Sequence, residues 1–561
     1  MAKQRLRVTP LGGIGEVGKN SYVVEFGRDL LLVDAGLKFP EEEMLGIDLV
    51  IPDYSYVTYK THNLKGILIS HGHEDHIGAI PYLLPQLGGH VPIYGSDLAL
   101  GLLDAKLKEN GVAHLADLRP VKAGERIKLG RFLAEFFDVN HSVPGSFGLA
   151  LTTPVGLLVY SGDFKFGESF PQKHEPRLDG EVGLAAKLAD LGRQNVLLLM
   201  SDCVRIEQPG RTPPESVVAE ALEKIFTEAP GRIIMTTFAS NVARWRQAID
   251  IAVRQGRKVA MAGRSLVDAV DVASRLDYLK IPAGTMVTLD ETSRMAPNRV
   301  LLLVTGSQGE PTSILSRIAI DDYRAIRLVE NDTVVIAASP VPGNEETVAR
   351  TIDNLFRRGA RVIYSTIAEN VHVSGHASRD ELREMIELTK PAFAIPIHGE
   401  YRHMVLYRQL ASETGMDPSR VLLPEQGDVL GFAPDFGEKI GQVPSGSVLV
   451  DGITVGEVTQ VTLRDRRRLA QDGVLIASIV VDAETGQLVG GPDLVSRGFI
   501  RPEDSELLEK AKEALRKALK RRARGQAEYG FLVAKISDIL GPFVYQATHR
   551  RPLILPVVTE I

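Results

Sequence analysis

Leu64-Lys-Gly-Ile-Leu-Ile-Ser70, followed directly by His71-Gly-His-Glu-Asp-His76, is the stretch on which the reading of this chain turns. Its first part is an apolar strand. Its second part puts three imidazoles and a carboxylate, His71, His73, Asp75 and His76, into one loop whose base the strand holds fixed. Neutral imidazoles and carboxylates are ligands for zinc and similar divalent ions, so this spacing reads as a metal site and not as a solvated polar turn. Histidine is scarce, 13 in 561 residues, which makes the grouping informative. Ile77 to Leu87 continues as a short helical pattern.

Upstream, Leu6 to Thr9, Ser21 to Phe26 and Asp29 to Val33 read as short strands separated by glycine turns, the last ending in Asp34-Ala35-Gly36. Gly13-Ile-Gly15-Glu-Val-Gly18 satisfies the dinucleotide fingerprint, and with Lys19-Asn20 it falls one residue short of a phosphate loop. Both motifs require a helix after the glycines, because the helix N-terminus holds the phosphate. Here a β-forming run follows, and Asn20 stands where Ser or Thr would bind magnesium. A tight glycine turn is the reading.

Downstream, strands are expected at Phe132 to Val139, Ala150 to Thr153 and Leu157 to Tyr160. From about Asn195 strands alternate with helices through Val196 to Met200, Arg232 to Thr236, Lys258 to Met261, Val300 to Val304 and Thr333 to Ala338, the rhythm of a doubly wound, mainly parallel sheet. The expected organisation is a first domain at 1–205, a second at 206–360, a return to the first at 361–430, a Gly/Pro-rich linker at 431–455 and a small α+β domain at 456–561. A hairpin turning at Glu484 to Gly486 and a helix near Glu503 to Arg524 belong to the last.

Composition bounds the function. Hydrophobic residues make up 44% and charged residues 24%, which excludes a collagenous or wholly disordered chain. The formal net charge of −6 excludes a global basic field, so a nucleic-acid partner would be held by local patches. One such patch is a basic face with Lys510, Lys512, Arg516, Lys517, Lys520, Arg521, Arg522 and Arg524, for which a solvated face or a subunit contact is an equal reading. The single cysteine, Cys203, excludes an internal disulfide and a cysteine-based zinc cluster. No signal-like N-terminus or membrane span is evident, so the cytoplasm is the expected compartment and no membrane partner is expected.

With Asp34, the His71 to His76 cluster, His141 in Asn140-His-Ser142 and Asp163 in Ser161-Gly-Asp-Phe164 in this order, the chain resembles the metallo-β-lactamase superfamily. The last ligand expected there, His398 in Ile397-His-Gly-Glu400, comes only after a long insertion. Such an insertion, with Asp202, the loop His372-Val-Ser-Gly-His376-Ala-Ser378 and His398, resembles the β-CASP branch. Together with the glycine-rich opening Leu11 to Gly18, the segment Thr236 to Asn241 and a separate C-terminal domain, the chain is similar to the ribonuclease J family over essentially its whole length.

The resemblance implies an α/β fold: a metallo-β-lactamase αββα sandwich, an inserted doubly wound β-CASP domain and a small α+β C-terminal domain. It implies that His71, His73 and His141 bind one metal and Asp75, His76 and His398 a second, with Asp163 bridging. Asp34 is read as orienting a ligand histidine. Asp75, Asp163, Asp202 and His376 are the candidate catalytic residues, with His376 and Asp202 serving the leaving oxygen. His372, Val373, Ser374, Gly375, His376 and Ser378 form the candidate RNA-phosphate loop. Ser240 with Asn241 and Thr305 to Ser307 are weaker anion sites that capping alone would explain.

Two divalent metal ions, zinc or alternatively manganese, are the implied cofactors, and a water activated between them is the implied nucleophile. The implied activity is hydrolysis of RNA phosphodiesters, 5′ to 3′ from a 5′-monophosphate end and also internally, in RNA maturation and decay. Alternatives are a β-CASP nuclease acting mainly internally or on DNA, and a non-catalytic RNA-binding scaffold, which would not need a complete ligand set. A homodimer or homotetramer and RNA-decay partners are implied. Asp48 and Asp451 are a further candidate pair for a structural ion, against the simpler reading as surface turns.

Overall fold

In the computed structural model the described residues are 5–41, 43–167, 183–341, 343–452, 454–483, 485, 487–499, 505–520 and 529–561. They fall into two compact units, Met1–Phe39 with Leu49–Val448, and Pro40–Asp48 with Leu449–Ile561.

Two sheets and their shared core build the first part of the larger unit. One has eight strands in the order Phe436–Gln442, Asp428–Ala433, Leu6–Gly12, Ser21–Phe26, Asp29–Val33, Leu64–Leu68, Val91–Gly95 and Ala116–Pro120. The other has six, in the order Phe393–Ile397, Val196–Asp202, Gly156–Tyr160, Phe147–Thr153, Phe132–Asp138 and Arg126–Leu129. Their facing side chains, among them Leu6, Val8, Val24, Leu31 and Val33 from the first and Phe136, Leu149, Leu151, Leu158 and Leu198 from the second, form one buried core. Leu188 and Leu191 of the helix Leu184–Gly192 and Leu382 and Met385 of the helix Arg379–Thr389 join the same core. This is the expected sandwich.

The inserted part is a five-stranded, all-parallel sheet, ordered Lys258–Ala262, Val300–Val304, Ile233–Thr236, Thr333–Ile336 and Arg361–Tyr364. Helices cover both faces, so its strands read as unbroken apolar runs; Val300-Leu-Leu-Leu-Val304 is buried throughout. Ile233 and Met235 meet Phe226 and Trp245 on one side, while Ile234 meets Leu315 and Ile318 on the other.

Two expected boundaries move. Arg361–Tyr364, assigned to the return segment, is the edge strand of the five-stranded sheet. The segment beginning at 431, assigned to a linker, carries much of a hairpin, Asp428–Ala433 with Phe436–Gln442, which extends the eight-stranded sheet beside Leu6–Gly12. Pro434-Asp435 is its turn, so a composition that suggested a linker was turn punctuation.

In the smaller unit Val474–Val481 is central, antiparallel to Leu488–Arg497 and parallel to Leu553–Glu560, with the helices Ser505–Lys520 and Tyr529–Thr548. Alternate residues Leu475, Ala477, Ile479 and Val481 pack against Ala511, Leu515, Ile536 and Leu540. The expected turn at Glu484 and Gly486, and Arg521, Arg522 and Arg524 of the basic face, lie outside the described residues. Asp48 accepts Gly452 N–H at 2.7 Å and Asp451 pairs with Arg466 at 2.5 Å, so each carboxylate has a protein partner and the surface-turn reading suffices. No described helix is long and apolar enough to cross a membrane.

Candidate metal centre

The site sits where strands of both sheets end. Leu64–Leu68 leads to the His71 to His76 loop, Asp29–Val33 to Asp34, Phe132–Asp138 to His141 and Gly156–Tyr160 to Asp163. The strands Gly156–Tyr160, Val196–Asp202 and Phe393–Ile397 run parallel as neighbours, so Asp163, Asp202 and His398 leave the same edge. The glycine turn contributes at this edge too. Ile14–Gly15 pairs with Gly399–Glu400, and Gly13 O accepts the N–H of His398 at 2.8 Å. A strand and not a helix follows the glycines, as the sequence indicated. Asp34 and His398 both have left-handed backbones, φ 55° and 52°, a strain that the surrounding hydrogen bonds hold in place.

His71, His73, His141 and Asp163 form one potential ligand group; Asp75, His76, Asp163 and His398 form another. In the first, His71 Nε2 and His141 Nε2 lie 2.9 and 3.2 Å from His73 Nδ1. Three ring nitrogens converging so closely fit a shared cation better than a hydrogen-bond network, since their lone pairs would otherwise face one another. Asp163 Oδ2 lies 3.5 Å from His71 Nε2 and 3.8 Å from His141 Nε2, and also 3.2 Å from His76 Nε2 and 3.8 Å from His398 Nε2. One carboxylate oxygen thus faces both groups. Asp75 Oδ2 completes the second, 3.6 Å from His76 Nε2.

The electrostatics divide the rings. Burial, reinforced by neighbouring imidazoles, pushes His71 and His141 well below the usual histidine range and His73 down to about 4, so these rings are neutral at pH 7, the form a cation requires. Burial alone would also lower His76, but Asp163, Asp75 and Asp34 outweigh it and raise the ring's pKa. Asp163 is held well below the usual carboxylate range: burial opposes ionisation, and His398, His76 and His376 overcome it.

Behind the ligand atoms, each ring is tied by its other nitrogen. His76 Nδ1 donates to Asp34 Oδ2 at 2.8 Å, and His141 Nδ1 to Gly375 O at 2.8 Å. His71 Nδ1 lies 3.0 Å from Ser70 Oγ. Asp34 also accepts Ser70 N–H, Ser70 Oγ–H and the Tyr160 hydroxyl, the last at 2.6 Å. Burial, then Asp34, raises the Tyr160 pKa, so that hydroxyl stays a donor.

Beside the two groups, His376 Nδ1 lies 2.7 Å from Asp202 Oδ2 and 4.0 Å from Asp163 Oδ2. Burial works against a charged ring here, yet Asp202 and Asp163 raise its pKa. The loop around it is anchored from below. Lys165, fully buried, donates to Ser374 O at 3.1 Å and to Glu215 Oε1 at 2.9 Å, and Arg244 donates to Glu215 Oε2 at 2.7 Å.

Not every expected loop residue faces the site with its side chain. Val373 packs into the inserted domain's core. Ser378 caps the helix Arg379–Thr389 with Glu381 and bonds Thr212. His372 is half-buried, its pKa pushed down to about 3 by desolvation and then by Arg244 and Lys165. Of the weaker anion sites, Asn241 caps the helix Val242–Arg254 through Arg244 N–H, the capping reading. Phe238 of the same segment comes within 6.5 Å of the His73 ring, centroid to centroid. Cys203, beside Asp202, is a free and buried thiol.

Asn20, Ser70, Tyr160, Lys165, Glu215 and Glu381 were not among the expected site residues. Ser70 could have been found, since it separates the strand from the first histidine. So could Glu381, which completes a Ser378-x-x-Glu381 capping box, whereas Tyr160 and Lys165 flank Asp163 without marking themselves and Asn20 and Glu215 are supplied by distant segments.

Models of known families match along the chain: the metallo-beta-lactamase superfamily at residues 14–252, the ribonuclease J beta-CASP domain at 230–355, a Zn-dependent metallo-hydrolase RNA specificity domain at 360–424 and the ribonuclease J C-terminal domain at 461–561. The chain is 39% identical to ribonuclease J2 of Bacillus subtilis, covering 100% of this chain and 99% of that one. It is 40% identical to ribonuclease J of Thermus thermophilus, covering 100% and 96%. A crystal structure of a protein of unknown function from Enterococcus faecalis matches with a TM-score of 0.52 at 17% identity, covering 76% of this chain and 100% of that one, a likeness of fold.

Proposed function

The chain belongs to the ribonuclease J family and is a metal-dependent ribonuclease; from that premise we propose that it hydrolyses RNA with two divalent cations held by the two ligand groups, zinc first and manganese as the alternative. The observation that carries this reading is the single oxygen, Asp163 Oδ2, lying 3.2 to 3.8 Å from ring nitrogens of both groups. Two adjacent cations repel, and an anionic bridge offsets that repulsion.

His71, His73 and His141 would hold one cation, Asp75, His76 and His398 the other, and Asp163 both. When bound, the cations would supply Lewis acidity toward the phosphoryl oxygens and acidify a water for in-line attack. Asp34 fixes the ring of His76. His376, kept in its acid form by Asp202, gives its proton to the leaving oxygen. Lys165 steadies the 374–376 backbone, whose neighbouring His376 side chain and main chain approach the substrate phosphate. No protein nucleophile is required.

On the same reading the chain degrades RNA 5′ to 3′ from a monophosphorylated 5′ end and also cuts internally. It acts in the cytoplasm as a homodimer or homotetramer, with partners in RNA decay. The test is RNA labelled at either end and carrying a 5′-monophosphate or a 5′-triphosphate, incubated with metal-loaded protein. Monophosphate-dependent release of mononucleotides supports exonuclease action. Internal fragments alone favour an enzyme acting mainly inside RNA, and intact RNA, with or without chelator, defeats the reading.

A further inference from the structure

Asn20 breaks the phosphate-loop match in the sequence, yet its side chain reaches into the second ligand group. Its amide Nδ2 lies 2.7 Å from His398 Nδ1, 3.0 Å from His76 Nε2 and 3.3 Å from Asp75 Oδ2. At the other end, the Tyr22 hydroxyl lies 3.0 Å from Asn20 Oδ1 and 3.2 Å from Gly13 O. Asn20 and Tyr22 are both fully buried. The Asn20 backbone is pinned as well, donating to Asp75 O at 3.0 Å and accepting Gly36 N–H at 2.9 Å.

The pattern around three of the other rings gives this contact its meaning; His73 is the reverse case, with Nδ1 turned to the ligand group and Nε2 3.4 Å from Ser142 Oγ. Ser70 faces Nδ1 of His71, Asp34 faces Nδ1 of His76 and Gly375 O faces Nδ1 of His141, leaving Nε2 of each ring for the ligand group. At His398 the group nearest Nδ1 is Asn20 at 2.7 Å, with Asp75 Oδ2 farther off at 3.8 Å, and Nε2 is the nitrogen turned to Asp163. A histidine that gives Nε2 to a cation carries its proton on Nδ1 and needs an acceptor there. A carboxamide has a donor and an acceptor on one planar group. Its far end meets a hydroxyl that can match either orientation: Tyr22 donates to Oδ1, or accepts from Nδ2 and sends its own proton to Gly13 O. Turning the amide therefore keeps a partner at each of its ends, His398 Nδ1–H and the Tyr22 hydroxyl, at the loss of the 3.3 Å hydrogen bond to Asp75 Oδ2.

We infer that Asn20 is the positioning residue of His398, its carbonyl oxygen accepting Nδ1–H of that ring and so reserving Nε2 for the second cation. The inference rests on the metal reading of the second group.

The experiment is metal binding by the full chain, stripped with chelator and titrated calorimetrically with Zn²⁺ and, separately, with Mn²⁺, with metal analysis after desalting, the metal taken up in larger amount being used for the comparison. Wild type should take up two equivalents; uptake of one or none removes the metal reading itself before any variant is compared. Asn20→Leu should keep the first equivalent unchanged, which shows that the site is folded, and weaken the second by about 10–100-fold, the usual cost of losing the outer partner of a ligand. Asn20→Asp should restore it, because a carboxylate accepts from Nδ1–H as Asp34 does from His76. An unchanged second equivalent in Asn20→Leu overturns the inference, and so does Asn20→Asp binding as weakly as Asn20→Leu. If Asn20→Leu loses the first equivalent too, Asn20→Asp against wild type decides: equal or tighter second-site binding supports the inference and weaker binding overturns it.

Discussion

The Asp202 carboxylate and the His376 ring meet at 2.7 Å, and that pair stands beside Asp163, the residue shared by the two ligand groups. Burial would favour a neutral ring, so the proton on His376 above its ordinary pKa depends on the carboxylates facing it. If that proton goes to the leaving oxygen, activity falls as pH rises through the raised pKa. Asp202→Asn should shift this alkaline limb of the kcat profile to lower pH, and His376→Gln should remove the limb and cost about 10²–10⁴ in kcat. Single-turnover cleavage measured across pH reads both; an unmoved limb in Asp202→Asn contradicts the pairing.

Asp34→Asn keeps a residue that tolerates the left-handed backbone, φ 55°, while weakening the acceptor for His76 Nδ1. Metal affinity should fall about 10–100-fold. Equilibrium dialysis against a competing chelator measures it, and wild-type affinity would show that the carboxylate's charge is dispensable.

A methyl added at Gly375 would stand 2.5 Å from both Cε1 and Nδ1 of His141 and 3.0 Å from Ser142 N. Gly375→Ala should displace the His141 ring, with loss of metal from the first group and of RNA hydrolysis. Gly89→Ala, where the added carbon meets nothing within 4 Å, serves as the control and should match wild type. Full activity in Gly375→Ala would mean that the loop yields and the ring stays.

Glu215 is the carboxylate between two fully buried cations, Lys165 and Arg244. Glu215→Gln removes the charge that compensates both, and should destabilise the chain by roughly 3–5 kcal/mol. Adding Arg244→Gln to that variant should recover part of the loss. Urea unfolding reports both values, and a double variant no better than the single one would argue against charge as the cause.

His372 titrates at about 3 in the fold, held there by desolvation and by Arg244 and Lys165, against an ordinary value of 6.5. Between these values the unfolded chain takes up a proton that the folded chain refuses, so stability falls as pH drops from about 6.5 toward 3. His372→Gln should flatten this part of the pH–stability curve. An identical slope in wild type and variant, by thermal unfolding at several pH values, would rule out His372 as its source.

The sequence was most legible where one segment carries its own chemistry. His71 to His76 names its function because four ligand-type residues occupy one loop, and the parallel strands of the insertion announce themselves as apolar runs. It was least legible where a role is created by distance. Asn20 meets His398, and Lys165 meets Ser374, only because strands far apart in the chain end at one edge. The 431–455 segment misled because glycine and proline punctuate hairpins as readily as linkers. Val373 and Ser378 shared a motif with His376, but the loop turns their side chains toward the core and a helix cap.

The centre is also late to close. Asp34 through Asp163 come from the first part of the chain, but His398 reaches them only when Phe393–Ile397 adds to the sheet beside Val196–Asp202, after the whole insertion. During synthesis, a ribosome must therefore make nearly the entire catalytic unit before the last ligand can arrive. Until that strand is laid down, the group of Asp75, His76 and Asp163 lacks its fourth member, while the group of His71, His73, His141 and Asp163 is already complete in the chain.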